Sequence, residues 1–140
     1  MALNPEYFQI GYDIIGAAYD VRNNVGRGLR EKYYEAALCN ELRKRGYEVE
    51  CQVPLPAIYS GEVITDSYLA DIVVDKKVII EVKAITTMSE TESRQLYTYL
   101  RMSHYKLGYL INFGSKSFKV GTPKESLPYR NGIYRIVNNI

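Results

Sequence analysis

The stretch Tyr68 to Lys83, YLADIVVDKKVIIEVK, constrains this chain more than any other. Two runs rich in β-branched residues, Leu69 to Val74 and Val78 to Val82, flank the polar Asp75-Lys76-Lys77, a pattern that predicts a hairpin. With the turn centred on Lys76, Val74 faces Val78, Ile72 faces Ile80, and Asp71 falls opposite Glu81. Two carboxylates in one cross-strand pair repel each other, and removing them from water without a counter-ion costs more still. Something cationic is expected between them, and a divalent metal ion is the first candidate. Side chains alternate faces along a strand, so Lys83 points with Glu81 while Val82 points away. One face then carries Asp, Glu and Lys together. For an isolated Glu-x-Lys strand the commoner reading is a structural ion-pair cluster, and that alternative stays open here.

Upstream, Asn4-Pro5-Glu6 opens the chain as an N-cap, a proline at the first helical position and an acid in the first turn. Phe8, Ile14, Ile15, Ala18, Val21 and Val25 follow at near-helical spacing. Gly26-Arg27-Gly28 breaks this helix. A second helix is expected from about Leu29 to Arg45, ended by Gly46. Glu31 and Glu35 lie one turn apart on it and share a face, which by spacing alone is a solvated one. Tyr47 to Val53 alternates as a half-exposed strand, which Pro54 and Pro56 are expected to end. Ile58 to Ile64 reads as a short irregular excursion. After the hairpin, Ser89-Glu90-Thr91-Glu92 is a capping box opening a helix to about Met102. Gln95 and Tyr99 share one of its faces, a pattern that by itself is ordinary helix surface and core. Leu107 to Phe113 suits a buried strand. A loop or short hairpin is expected from Gly114 through Pro128, then a terminal strand from Tyr129 to Val137.

At 140 residues the chain fits a single domain, 1–140, with one core. No apolar run approaches the roughly 20 residues of a membrane helix. The N-terminal pattern, with Glu6 and Asp13, is not that of a secretory signal, so a cytoplasmic protein without membrane partners is expected. Cys39 and Cys51 lack zinc or redox spacing and read as two buried small apolar side chains. The single histidine, His104, excludes a histidine-based triad or a multi-histidine metal site, and no glycine-rich phosphate loop is present. The net charge of +2 hides an asymmetry: from Arg101 onward seven basic residues face one acidic, Glu125, so this part carries +6. Such a tail suits a phosphate-backbone binder if its residues cluster, with Arg101, Lys116 and Lys119 as candidate contacts, and an evenly solvated surface if they do not.

An Asp followed about ten residues later by Glu-x-Lys at the end of an apolar strand resembles the PD-(D/E)XK nuclease signature, with Asp71, Glu81 and Lys83 in the motif positions. Ala70 stands where the signature usually has proline. The chain also resembles the small GxxExxY family within that superfamily, through Gly28, Glu31 and Tyr34, and then through Pro54-Leu55-Pro56, Gln95 to Leu100 and Leu110 to Gly114. The resemblance runs from about Gly16 to Gly121. It implies a restriction-endonuclease-like α/β core, a mixed central sheet flanked by helices. It also implies that Glu31 reaches a metal directly or through water, with Glu35 as second choice, and that Gln95 and Tyr99 contact the metal-bound water or the scissile phosphate.

The implied chemistry is metal-dependent phosphodiester hydrolysis, of DNA ahead of RNA. Oxygen donors from Asp71, Glu81 and the Val82 carbonyl suit Mg2+ or Mn2+ better than zinc, and Lys83 would orient the attacking water and stabilise the phosphate. Two alternatives remain at this level. One is a catalytically weak nuclease-fold module that binds nucleic acid or a protein partner. The other is an interaction protein, since fourteen tyrosines without tryptophan suit interfaces as well as base stacking; a homodimer is expected.

Overall fold

The computed structural model describes residues 4–121 and 130–139, and of residues 65–67 the backbone only. Helix α1 spans Pro5–Val25, with the Asn4 side chain accepting from the Glu6 and Tyr7 N–H groups at 3.1 and 3.4 Å. Helix α2 spans Glu31–Lys44. Gly46, at φ 93°, supplies the left-handed turn that ends it, and the Tyr47 N–H returns to the Leu42 carbonyl. Between the helices Gly26 and Gly28 adopt φ 68° and 99°, as the sharp break requires. The connection is held by Tyr34, whose hydroxyl donates to the Gly26 carbonyl at 2.7 Å and accepts from the Leu29 N–H at 3.2 Å.

Among the described residues six strands form one mixed sheet in the order β1-β2-β3-β4-β6-β5. Strands β1 (Val49–Tyr59), β2 (Glu62–Val74) and β3 (Val78–Lys83) are antiparallel in turn. Helix α3 (Glu90–Ser103) then carries the chain to β4 (Leu107–Asn112), which runs parallel to β3. Strand β6 (Asn131–Val137) is antiparallel to β4, and β5 (Ser117–Gly121) is parallel to β6. Helices α1 and α2 cover one face through Ile14, Leu38 and Leu42 against Ile72, Ile80 and Val82. Helix α3 covers the other through Leu96 and Leu100 against Val73, Ile79 and Leu110. The central strands β3 and β4, buried from both sides, are for that reason nearly continuous apolar runs. Among the described residues no helix is long and apolar enough to cross a membrane.

Three expectations are corrected. Pro54 and Pro56 lie inside β1 rather than ending it, because β1 is an edge strand and a proline there need not forfeit a ladder bond. The expected excursion is a hairpin: Tyr59 pairs with Glu62 across Ser60 and Gly61, both at positive φ, 52° and 78°, the two-residue turn that matches strand twist, and the irregularity is confined to register shifts on either side of Ala57. Cys39 is buried as expected, but Cys51 is exposed. In the basic tail β5 and β6 pair in parallel, and residues 122–129, with Pro128 of the expected connection and Tyr129 of the expected terminal strand, lie outside those described.

Helix α3 begins at the predicted capping box, in which the Ser89 hydroxyl accepts from the Thr91 N–H at 3.2 Å and Glu92 accepts from the Ser89 N–H at 3.0 Å. Ser89→Ala is expected to cost about 1 kcal/mol. The check is a lower urea midpoint at unchanged slope.

Candidate active site

The β2–β3 ladder runs Val74↔Val78, Val73↔Ile79, Ile72↔Ile80, the register read from the sequence. One residue further, side chains take over from the ladder. The Val82 N–H donates to Asp71 Oδ2 at 2.9 Å, and the Asp71 N–H donates to Glu81 Oε1 at 3.4 Å. Each carboxylate therefore accepts from the opposite strand's backbone, and the two acids meet where the strands part. Val82 itself is buried under α1 and α2, so Glu81 faces the α3 side, as alternation requires.

On that side the Tyr68 hydroxyl donates to Glu81 Oε1, and the Tyr68 ring stacks on Tyr99 with centroids 3.4 Å apart. Gln95 Nε2 donates to the Tyr99 hydroxyl at 2.8 Å. The two α3 residues singled out in the sequence are thus joined to Glu81 through Tyr68. Burial first, and the charge of Asp71 second, push the Glu81 carboxyl from an ordinary value of 4.5 up to about 8. Burial and the Glu81 charge keep the Tyr68 phenol protonated, so it remains a donor.

The α2 side brings two more acids. Glu35, buried, accepts from Gln52 Nε2 at 2.7 Å, and the same amide lies 3.4 Å from Asp71 Oδ1. Glu31 is half-buried, and its carboxylate accepts from the Ala84 N–H, just beyond Lys83. Burial is the leading cause that raises both acids. Asp71 adds to it in each, while the nearby Lys83 charge draws Glu31 back down. The solvated-face reading of Glu31 and Glu35 is therefore overturned: both turn towards Asp71. The ion-pair reading of the hairpin acids fails as well. Among the described residues the salt bridges pair other groups, and none joins Lys83 to Asp71 or Glu81.

Two residues of this arrangement are absent from the sequence reading. Gln52 is a strand residue at φ 52°, a left-handed conformation costing on the order of 1–3 kcal/mol, which this site holds in place with two carboxylate contacts. A regular period-2 pattern gives no sign of it. Tyr68 stands at the head of the hairpin stretch, and its position there is the only signal.

Of the basic candidates, Arg101 does not gather here. Arg101 and Lys106 line a cavity of about 640 Å³ with Ile58, Met102 and His104, beside the start of β4. The acids lie by the other end, since Val78 pairs with Leu107 and Lys83 with Asn112. Lys119 is exposed on edge strand β5, and the exposed Lys116 precedes it. Arg27, whose Nε donates to the Gly114 carbonyl at 3.1 Å, lies nearer to Lys83 and lines a smaller cavity of about 330 Å³ with Ala84 and Thr86.

Among the described residues no three acidic, histidine or cysteine side chains converge on one point as a metal site. What converges is the pair Asp71 and Glu81, all oxygen donors, with burial and the Asp71 charge opposing ionisation of Glu81 and no salt bridge to either acid among the described residues. That pair fits Mg2+ or Mn2+, which bind through one or two carboxylates and keep several waters. Because the folded chain holds a proton on Glu81 that the unfolded chain has released, stability falls as pH rises from about 4.5 to about 8. Below about 4.5 the whole contribution is present. An ion bound by Glu81 competes with that proton, so Mn2+ affinity measured by calorimetry is expected to tighten across the same window with proton release. A flat affinity would remove Glu81 from the ligand set.

A family model described as the PD-(D/E)XK nuclease superfamily matches residues 8–124. No curated protein and no solved structure matches the chain. With the match extending over most of its length, from α1 to beyond β5, the chain belongs to the PD-(D/E)XK nuclease superfamily.

Proposed function

We propose that the protein is a divalent-metal-dependent nuclease that hydrolyses phosphodiester bonds in DNA, with Asp71, Glu81 and Lys83 at the reacting centre. The observation that carries this reading is the reciprocal bonding of Asp71 and Glu81 across the parting strands, which leaves two carboxylates facing each other with no salt bridge to either among the described residues. Asp71, Glu81 and the Val82 carbonyl would hold Mg2+ or Mn2+, and Glu31 would reach it directly or through water, with Glu35 in reserve. The bound ion would neutralise charge developing on the phosphate and lower the pKa of a bound water.

The remaining roles belong to the chain itself. Tyr68 keeps Glu81 oriented by its donated hydrogen bond, and Gln52 holds Glu35 beside Asp71. The half-buried Lys83 presents its ammonium to the attacking water and the phosphate oxygens. Gln95 and Tyr99 supply neutral donors to a phosphate lying against α3. We further place the chain in the GxxExxY group, a reading supported by the separate tasks of its residues: Gly28 turns the chain, Tyr34 staples that turn, and Glu31 faces the acids.

The test is cleavage of labelled single-stranded, double-stranded and branched DNA, and of RNA, with Mg2+, Mn2+ or EDTA. Cutting of DNA that EDTA abolishes is expected. Binding of DNA by a folded protein that cuts nothing would favour a nuclease-fold module that only binds nucleic acid.

A further inference from the structure

Glu35, Cys39 and Arg43 occupy successive turns of one face of α2. The first and last of them grip β1. Glu35 accepts from Gln52, and Arg43 donates to the Val49 carbonyl at 2.8 Å while its guanidinium lies 4.0 Å from Cys51 Sγ. Cys39 stands between those two grips, so Cys51, between Val49 and Gln52 in β1, is brought against it. The Cys51 thiol is accordingly a neighbour of the Cys39 thiol, which burial first and Cys51 second push up. Cys39 is 1% exposed and Cys51 is open to solvent. One thiol is therefore reachable from solution and the other is sealed behind it.

We infer that Cys39 and Cys51 form a peroxide-reactive dithiol site that closes to an intrachain disulfide and tethers α2 to β1 beside Gln52. The Cys51 sulfur, with the Arg43 guanidinium nearby, attacks one oxygen of hydrogen peroxide. The O–O bond breaks, and the departing hydroxide takes up the Cys51 thiol proton as water, leaving a sulfenic acid. The Cys39 sulfur then attacks the Cys51 sulfur. The S–S bond forms, the S–O bond breaks, and the leaving hydroxide takes the Cys39 proton as a second water. Two thiols lose two electrons, and the peroxide becomes two waters. Cys51 precedes the residue that bridges Glu35 and Asp71, so drawing its sulfur onto α2 displaces the Gln52 amide from the acids.

The test treats the full chain with hydrogen peroxide, then counts alkylatable thiols after denaturation and weighs the intact protein. Expected are loss of both thiols, a monomer lighter by two hydrogen atoms, and full reversal by dithiothreitol. In Cys39→Ser the reaction stops at a Cys51 sulfenic acid that dimedone captures. Cys51→Ser, at an exposed position that tolerates the change, keeps its Cys39 thiol through the same treatment. Two thiols surviving in the treated wild-type protein, or a disulfide found only between two chains, would overturn the site. Thiol counting needs no cleavage, so its outcome is separate from that of the nuclease reading, on which only the link to Gln52 rests. Should DNA be cut, the oxidised protein is expected to cut at least about tenfold more slowly, and an unchanged rate would refute that link.

Discussion

Asp71→Ala is expected to slow DNA cleavage roughly 10³-fold, the loss that follows when one of a few preorganised charge-stabilising groups is deleted from a reacting centre. The substitution also strips the Val82 N–H of its acceptor at 2.9 Å, at a further cost of about 1–3 kcal/mol in stability. Asp71→Asn separates the two effects. It retains an oxygen for the Val82 N–H, so the fold should stand close to wild type, while the charge that an ion needs is gone. It also removes the second-largest cause raising Glu81, whose carboxyl should then titrate below about 8. Single-turnover cleavage measures the first effect, a urea midpoint the second, and carboxyl NMR titration the third. An Asp71→Asn protein that is folded and fully active would show that Asp71 serves structure alone.

Phe113→Ala is expected to destabilise the protein by about 3–5 kcal/mol. Phe113 is fully buried and lies flat against Tyr34, ring centroids 4.6 Å apart, with Phe118 stacked at 5.3 Å. Its N–H donates to the Lys83 carbonyl at 2.8 Å, so it anchors the end of the strand that carries Glu81 and Lys83. The neighbouring Asn112 side chain clamps the next segment, exchanging hydrogen bonds with both the Ile85 N–H and the Ile85 carbonyl at 3.0 and 2.9 Å. Removing the ring opens a cavity directly behind the site, so the remaining folded protein should cleave more slowly as well as unfold sooner. Tyr59→Ala, on a ring 70% exposed, should change stability by less than about 0.5 kcal/mol. Equal urea midpoints for the two variants would contradict the packing described.

The parts of the fold that the sequence discloses are those with a local cause. The hairpin register follows from period-2 alternation around a polar turn, and the starts of α1 and α3 follow from caps at Asn4 and Ser89. What the sequence hides depends on position in the finished sheet. Pro54 and Pro56 break a central strand but not an edge one, and nothing local marks β1 as an edge. The parallel pairing of β5 with β6 depends on where the chain returns, not on the composition of either strand. At the site, Asp71, Glu81 and Lys83 are legible because like charges on a buried hairpin demand an explanation. Gln52 is not, because its role rests on a left-handed backbone angle inside an extended strand. Tyr68 joins the site through the hydrogen bond its hydroxyl donates to Glu81, and α3 folds back to lay Tyr99 on its ring. Of the basic tail, Arg101 and Lys106 line one cavity while Lys119 stands on edge strand β5, an arrangement set by where the strands return and not by spacing in the sequence.

The most direct measurement is cleavage of labelled DNA by wild type and Glu81→Gln side by side, each with Mn2+ and with EDTA. Glutamine keeps the size of the side chain and an acceptor for Tyr68 and removes only the ionisable oxygen. Cutting by the wild type in Mn2+ alone, lost in a folded Glu81→Gln protein, is the expected result. Cutting that persists in EDTA, or proceeds at the wild-type rate in Glu81→Gln, would contradict a metal-dependent centre built on the Asp71–Glu81 pair.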